Sequence, residues 1–145
     1  MDEFVIRGEH DYLSIKFLQV FGFPNQTCNW GGYEVEAGIT IKTGDFFVDS
    51  IIYSSTGQLY EFFEQLTKCN EKLVGEVRYI SHEYNLQINI TYDDCGHVFV
   101  GGVFDDNRLN KLSFEFQSDQ TFINRTLNEF KIISGKYGGM KGVLT

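Results

Sequence analysis

Residues 84–92 read YNLQINITY, and this stretch decides the fold class. Apolar side chains take every second position from Tyr84 to Tyr92, and polar side chains take the positions between them. A period of two places one set on a buried face and the other on a wet face, as in an antiparallel sheet. The same alternation over 33–41 predicts a further strand of this kind, as does that over 12–21, where a change of phase at Leu18 indicates a bulge or a bend.

Short turns separate these strands from their neighbours, which favours antiparallel pairing. The predicted strands, in chain order, are 3–7, 12–21, 33–41, 46–54, 76–81, 84–92, 97–104 and 112–116. In the seventh strand, Gly101 and Gly102 mark either a bulge or a close contact with a neighbouring strand.

Two stretches change to helical spacing. Ser55 and Gln58 have the spacing of a capping box, and apolar residues such as Phe62 follow at helical intervals, so we expect about four turns that end at Gly75. Asp119 is placed to cap a second helix, with Ile123, Leu127 and Phe130 toward the core and Gly135 at its end.

The order of elements is therefore four strands, a helix, four strands and a helix, which resembles a loose internal repeat. It predicts an α+β fold with a curved, mostly antiparallel β-sheet or a two-sheet sandwich of about eight strands, with two α-helices packed on it. A length of 145 residues indicates a single domain over 1–145, and the glycines and lysines of 136–145 indicate a flexible tail.

The charge of the chain limits its partners. Asp and Glu number 20 against 12 Lys and Arg, which gives a net charge of −8. Nucleic acid is a poor partner for such a surface, because binding to phosphates depends on Lys and Arg. The composition favours a basic protein partner instead.

The cysteines and the apolar runs bear on location. Three cysteines, Cys28, Cys69 and Cys95, cannot all pair within one chain, and no two of them form a CxxC motif. Free thiols are typical of a reducing compartment. The acidic start of the chain is unlike a secretion signal, and no apolar run is long enough to span a bilayer. We therefore expect a cytoplasmic protein without membrane contact.

No motif of catalysis, metal binding or cofactor binding is present in the sequence. Cys95 and His97 are close in sequence, but the adjacent Asp93 and Asp94 would oppose the thiolate that a nucleophile requires. A zinc site would need the three cysteines and one histidine as ligands, but their spacing in the sequence is not that of zinc ligands. The paired aspartates lack the Gly and Glu of a calcium loop. We predict a binding protein rather than an enzyme, with no cofactor.

Two features are candidates for a partner-binding surface. Trp30 and Tyr33 flank a glycine pair in a loop, where aromatic residues act as interface anchors or cover the end of a core. The aspartates of two turns could steer a basic partner, or could only cap their own turns. The candidate residues are Trp30, Tyr33, Asp93, Asp94, Asp105 and Asp106.

The chain resembles the WapI-like family of immunity proteins from bacterial polymorphic toxin systems, which inhibit WapA-type toxins. The resemblance is carried by VFGFP at 20–24, SSTGQLY at 54–60, LSFEFQSDQ at 112–120 and KYGGMKG at 136–142. It implies a stoichiometric inhibitor that binds the C-terminal domain of its cognate toxin, a nuclease, in the cytoplasm. It carries over no binding residues, and we expect a monomer or a weak homodimer.

Three other functions stay open at this point. A curved sheet could enclose an aromatic-lined pocket for a small ligand. Carboxylates at an unfamiliar spacing could serve an enzyme. The chain could also be an accessory domain of a larger assembly that is held by an exposed strand edge.

Overall fold

Eight strands and two helices follow one another in the predicted order. The computed structural model describes residues 2–137. The strands are β1 (Glu3–Arg7), β2 (Tyr12–Phe21), β3 (Glu34–Thr43), β4 (Phe46–Ser55), β5 (Gly75–Ile80), β6 (Leu86–Tyr92), β7 (Val98–Asp105) and β8 (Lys111–Ser118). The helices are α1 (Thr56–Lys72) and α2 (Gln120–Lys136). The α+β prediction is confirmed.

The strands form two separate four-stranded sheets, ordered β1-β2-β3-β4 and β5-β6-β7-β8. Every neighbouring pair is antiparallel. Each half of the chain is thus a meander followed by a helix, so the predicted repeat holds at the level of topology. Of the two predicted sheet arrangements, the one with two sheets is correct.

The core follows from the alternation that the sequence shows. Ile88 and Ile90 of β6 are buried, and so are Ile39 and Ile41 of β3, while the residues between them lie on the outer faces of the sheets. The buried side chains of both sheets and both helices form one continuous apolar cluster. Burial of this surface is the main favourable contribution to folding.

Helix α2 covers the free edge of β1. The backbone N–H of Val5 donates to Glu129 Oε1 at 3.0 Å, and Thr126 Oγ1 donates to the carbonyl oxygen of Val5 at 2.5 Å. Arg7 forms an ion pair with Glu129 at 2.5 Å. Unpaired backbone groups at a sheet edge invite association with other chains, so these side chains protect this edge.

A polar cluster joins the two helices to the second sheet. Asn70 of α1 is buried, and its Nδ2 donates to Asn124 Oδ1 at 2.9 Å. Tyr92 Oη of β6 donates to Asn70 Oδ1 at 2.7 Å. Both ends of the Asn70 amide are thus satisfied, as a buried polar side chain requires.

Both predicted N-caps are present, but Gln58 does not complete the predicted capping box, since its Oε1 accepts no hydrogen bond from the described residues. Ser55 caps α1 by accepting from the Gln58 backbone N–H at 3.2 Å, and Asp119 caps α2 by accepting from Phe122 N–H at 2.7 Å. The predicted bulge in β2 is confirmed by a register shift between Phe17 and Gln19.

The predicted helix ends are wrong. Helix α1 stops at Lys72 with Leu73 in a left-handed conformation at φ 54°, and Gly75 already belongs to β5. Gly135 lies inside the last turn of α2, which continues to Lys136.

Two further expectations differ from the structure. Tyr84 is outside β6, in a turn at φ 60°, and 71% of it is exposed. Tyr137, which the sequence assigned to a tail, is buried against Phe17, and its hydroxyl donates to Asp2 Oδ2 at 2.8 Å. The rest of the predicted tail, 138–145, lies outside the described residues.

Candidate partner-binding surface

Trp30 lies against the turn between β5 and β6. Its ring centroid is 4.7 Å from that of His82, and 58% of the residue is exposed. His82 is itself fixed to the edge of β4, because its backbone N–H donates to the carbonyl oxygen of Tyr53 at 2.9 Å. Partial burial lowers the pKa of His82, so its ring is neutral near pH 7. Trp30 is thus an exposed aromatic residue on a fixed support.

Carboxylates surround this aromatic corner. Glu34 lies near enough to His82 to act on its pKa. The hydroxyl of Tyr53 donates to Glu36 Oε1 at 3.2 Å, and this bond and the nearby Glu83 raise the pKa of Tyr53. No sequence pattern predicts that these three glutamates lie together, because they come from β3 and from a turn that is distant in sequence.

Tyr33 does not share a contact with Trp30. Its ring packs edge-on against Phe23 with centroids 5.1 Å apart, and its hydroxyl donates to the carbonyl oxygen of Pro24 at 3.2 Å. The backbone N–H of Tyr33 donates to Thr56 Oγ1 at 2.8 Å. Tyr33 therefore ties its loop to α1, and any role in binding remains a prediction.

Asp105 and Asp106 organise the turn between β7 and β8. Asp106 Oδ1 accepts backbone N–H groups of Arg108, Leu109 and Asn110, and Oδ2 accepts from the Asn110 side chain at 2.9 Å. These bonds lower the pKa of Asp106 to about 2. Asp105 Oδ1 accepts from Asn107 N–H at 2.8 Å. Both carboxylates thus hold the turn, and the lowered pKa of Asp106 keeps its carboxylate charged.

Asp93 and Asp94 lie at the other end of the same sheet. The β6–β7 turn and the β7–β8 turn are separated by the full length of β7, an eight-residue strand, which spans about 25 Å at the usual rise. The structure therefore does not bring the two aspartate pairs together. Asp105 lies at the same end of the sheet as His82, since its backbone N–H donates to the carbonyl oxygen of Asn85 in the β5–β6 turn at 2.8 Å.

The turn at Asp93 also contains the best candidate metal ligands among residues 2–137. One ligand atom each from Asp93, Cys95 and His97 lies within 4.8 Å of the others. The Asp93 carboxylate is already engaged, with Oδ1 accepting the backbone N–H groups of Cys95 and His97 at 2.9 Å and Oδ2 lying 2.9 Å from His97 Nδ1. The contact with His97 lowers the pKa of Asp93. A metal would have to displace these bonds.

The three cysteines are free, and two of them should differ in reactivity. Cys95 is exposed, whereas burial raises the pKa of Cys69. Because the thiolate is the reactive form, we expect Cys95 to react first with an aromatic disulfide reagent at pH 7.5, with Cys69 slower and still accelerating above pH 9. Cys95→Ser should remove the fast phase alone. Equal rates for the two thiols would contradict this difference.

The outer edge of β4 carries exposed apolar residues that the sequence did not reveal as a surface. Phe46 and Phe47 are 62% and 61% exposed, and Ile51 is half-exposed further along the strand. Together with Trp30 and His82 they make one surface, which we call the β4 margin. It comprises Trp30, Phe46, Phe47, Asp49, Ile51, Tyr53 and His82. Two adjacent aromatic residues at a strand start were the available signal, but the sequence could not show that this edge is uncovered.

Comparison with known proteins identifies the family. The model of the immunity protein WapI-like family matches residues 4–138, nearly the whole chain. The chain belongs to the WapI-like immunity protein family. No curated protein matched the chain in a search, and no solved structure did so either.

Membership in the WapI-like family supports an immunity role with a toxin protein as partner. The resemblance given by the sequence is therefore confirmed. Neither helix of the described chain is both long and apolar enough to cross a membrane. The family assignment identifies no residues of the surface that meets the toxin.

Proposed function

We propose that this chain neutralises a cognate toxin by forming a one-to-one complex with the toxin's C-terminal domain in the cytoplasm. The family match over 4–138 carries this proposal. The partner is a basic domain, a nuclease, because a domain that grips phosphates needs Lys and Arg and is attracted by a chain of net charge −8. The inhibitor acts by occupying the toxin's active site or its path to nucleic acid, without chemistry of its own.

A pull-down tests this proposal directly. The tagged chain is expressed in its source bacterium and washed at low and then at high salt, and mass spectrometry identifies what remains bound. The expected result is a stoichiometric basic protein that corresponds to the C-terminal part of a large toxin and that arrests growth when expressed alone. If that toxin domain is abundant in the lysate and does not bind, the proposal is wrong.

Because the two aspartate pairs lie at opposite ends of the second sheet, their contributions to electrostatic steering of the toxin can be measured separately. Asp105→Asn/Asp106→Asn removes two charges beside the β4 margin, and Asp93→Asn/Asp94→Asn removes two at the far end of the sheet. Asparagine keeps an oxygen acceptor for the turn. We expect the first pair to slow association with the toxin domain roughly threefold at low salt and to flatten its salt dependence.

The second pair is the matched control and should change the association rate less, because its charges lie about 25 Å away along the strand. Stopped-flow fluorescence at several salt concentrations measures both. A larger effect of Asp93→Asn/Asp94→Asn would instead place the toxin at the β6–β7 turn.

A small ligand as the principal partner has less support from the structure. The predicted pocket would lie between the sheets, where the buried side chains of both form one continuous apolar cluster. The groove beside Phe46 and Phe47 lies at the surface instead. Its place along an open strand edge suits a peptide segment.

A further inference from the structure

We propose that an extended, basic segment of the toxin domain binds as an added strand along the free edge of β4 at Phe47 and Asp49. This inference rests on the proposed function and names the surface that would perform it. Strand addition supplies affinity through backbone hydrogen bonds and specificity through alternate side chains.

The hairpin between β3 and β4 determines which backbone groups are free. Its two-residue turn pairs Thr43 with Phe46. The backbone N–H and C=O groups of even-numbered residues of β4 therefore bond to β3, and those of odd-numbered residues face away from β3. The carbonyl oxygens of Ile51 and Tyr53 show this parity, since they accept from Asn85 Nδ2 at 3.3 Å and from His82 N–H at 2.9 Å.

Phe47 and Asp49 are also odd-numbered, but no hydrogen bond from another part of the described chain occupies their outward backbone groups. Their backbone N–H and C=O groups face outward, and no other strand among residues 2–137 pairs with β4 on this side. The corresponding edge of β1 is closed by Glu129 and Thr126 of α2. The first sheet thus has a protected edge at β1 and an edge at β4 that is open over the first few residues of that strand.

A groove runs along the open part of the β4 edge. Phe46, Phe47 and Asp49 lie on one wall, and Phe104 and Leu112 of the second sheet lie on the other. The groove has a volume of about 480 Å³. Natural proteins avoid two exposed aromatic residues on an open edge unless something covers them.

The charge of the whole chain favours a basic occupant over a second copy, because the groove itself has two acidic and two basic side chains, Asp49, Asp106, Arg108 and Lys111. Asp49 lies in the groove, and Glu34, Glu36 and Glu83 surround the further part of the β4 margin. Arg108 and Lys111 lie on the far wall, with Lys111 3.8 Å from Asp105. Pairing two copies through β4 would bring together two chains of charge −8, whereas a basic toxin segment is attracted.

The test uses the full-length chain and the purified, catalytically inactivated toxin domain that the pull-down identifies. Asp49→Pro removes the outward N–H and leaves the β3 ladder intact, and Asp49→Ala is its control for loss of the carboxylate. Relative to Asp49→Ala, Asp49→Pro should weaken binding roughly fivefold. Phe46→Ser/Phe47→Ser should weaken it roughly thirtyfold.

Ile132→Ser is the matched control for the aromatic variant, because Ile132 is 76% exposed on α2, which covers the opposite edge of the first sheet at β1, and its loss should leave affinity unchanged. Hydrogen exchange gives a second readout, in which the amides of Phe47 and Asp49 become protected in the wild-type complex. That readout also serves if Asp49→Pro fails to fold.

The outcomes separate the two proposals. If the wild-type chain does not bind the toxin domain, the proposed function fails. If it binds, but the amides of Phe47 and Asp49 stay unprotected and the aromatic variant binds normally, only the strand-addition inference is overturned. A wild-type chain that sediments as a dimer, and as a monomer after Phe46→Ser/Phe47→Ser, would assign the edge to a second copy and would also overturn it.

Discussion

A Phe130→Ala variant is expected to lose about 3–5 kcal/mol of unfolding free energy, the usual cost of removing a buried phenylalanine ring. Phe130 is 2% exposed and lies between two other rings. Its centroid is 4.9 Å from that of Phe4 on β1 and 4.9 Å from that of Phe63 on α1, with the latter pair stacked at 7°. The ring therefore joins α2 to the first sheet and to α1 together.

Urea denaturation measures the loss, and Phe130→Leu is the control. Leucine keeps most of the apolar volume, so it should cost less than half as much. Because the docking of α2 places Glu129 and Thr126 on Val5, the Val5 amide should also exchange faster in Phe130→Ala than in Phe130→Leu. A loss below about 1 kcal/mol would show that α2 is not anchored by this ring.

Local rules in the sequence were sufficient for the elements of the fold. The alternation in residues 84–92 predicts β6, and the caps at Ser55 and Asp119 predict where both helices begin. The helix ends were not predictable in the same way. Leu73 and Tyr84 adopt left-handed conformations that usually favour glycine. Local backbone bonds hold both of them, since the Leu73 N–H donates to the Cys69 carbonyl oxygen and the Tyr84 N–H donates to that of Ser81 at 3.0 Å.

The candidate site was predictable only in part. Two hairpin turns on either side of a single strand must lie at opposite ends of the sheet, so the separation of Asp93 from Asp105 follows from the predicted topology itself. The β4 margin does not follow from it. Nothing in the pattern of Phe46 and Phe47 indicates that α2 covers the edge of β1 and leaves the edge of β4 open.

Gly102 is a position where the sequence left two explanations and the structure decides between them. The pairing of β7 with β6 and with β8 is continuous through Gly101 and Gly102, so there is no bulge. A Cβ atom on Gly102 would overlap the backbone carbonyl oxygen of Gln87 and lie 2.9 Å from Phe114 Cζ. The glycine is therefore required by close contact with both neighbouring strands.

Gly102→Ala is accordingly expected to lower the free energy of unfolding by about 3 kcal/mol, because a backbone oxygen within a paired strand cannot move aside without breaking the ladder. Gly135→Ala is the matched control, since within residues 2–137 no atom outside the adjacent turns of α2 lies within 4 Å of the position that its Cβ would take. It should stabilise the chain by about 0.5–1 kcal/mol through helix propensity. Thermal and urea unfolding of the two variants should thus shift in opposite directions, and a neutral Gly102→Ala would mean that β6 and β7 are less closely paired than this register requires.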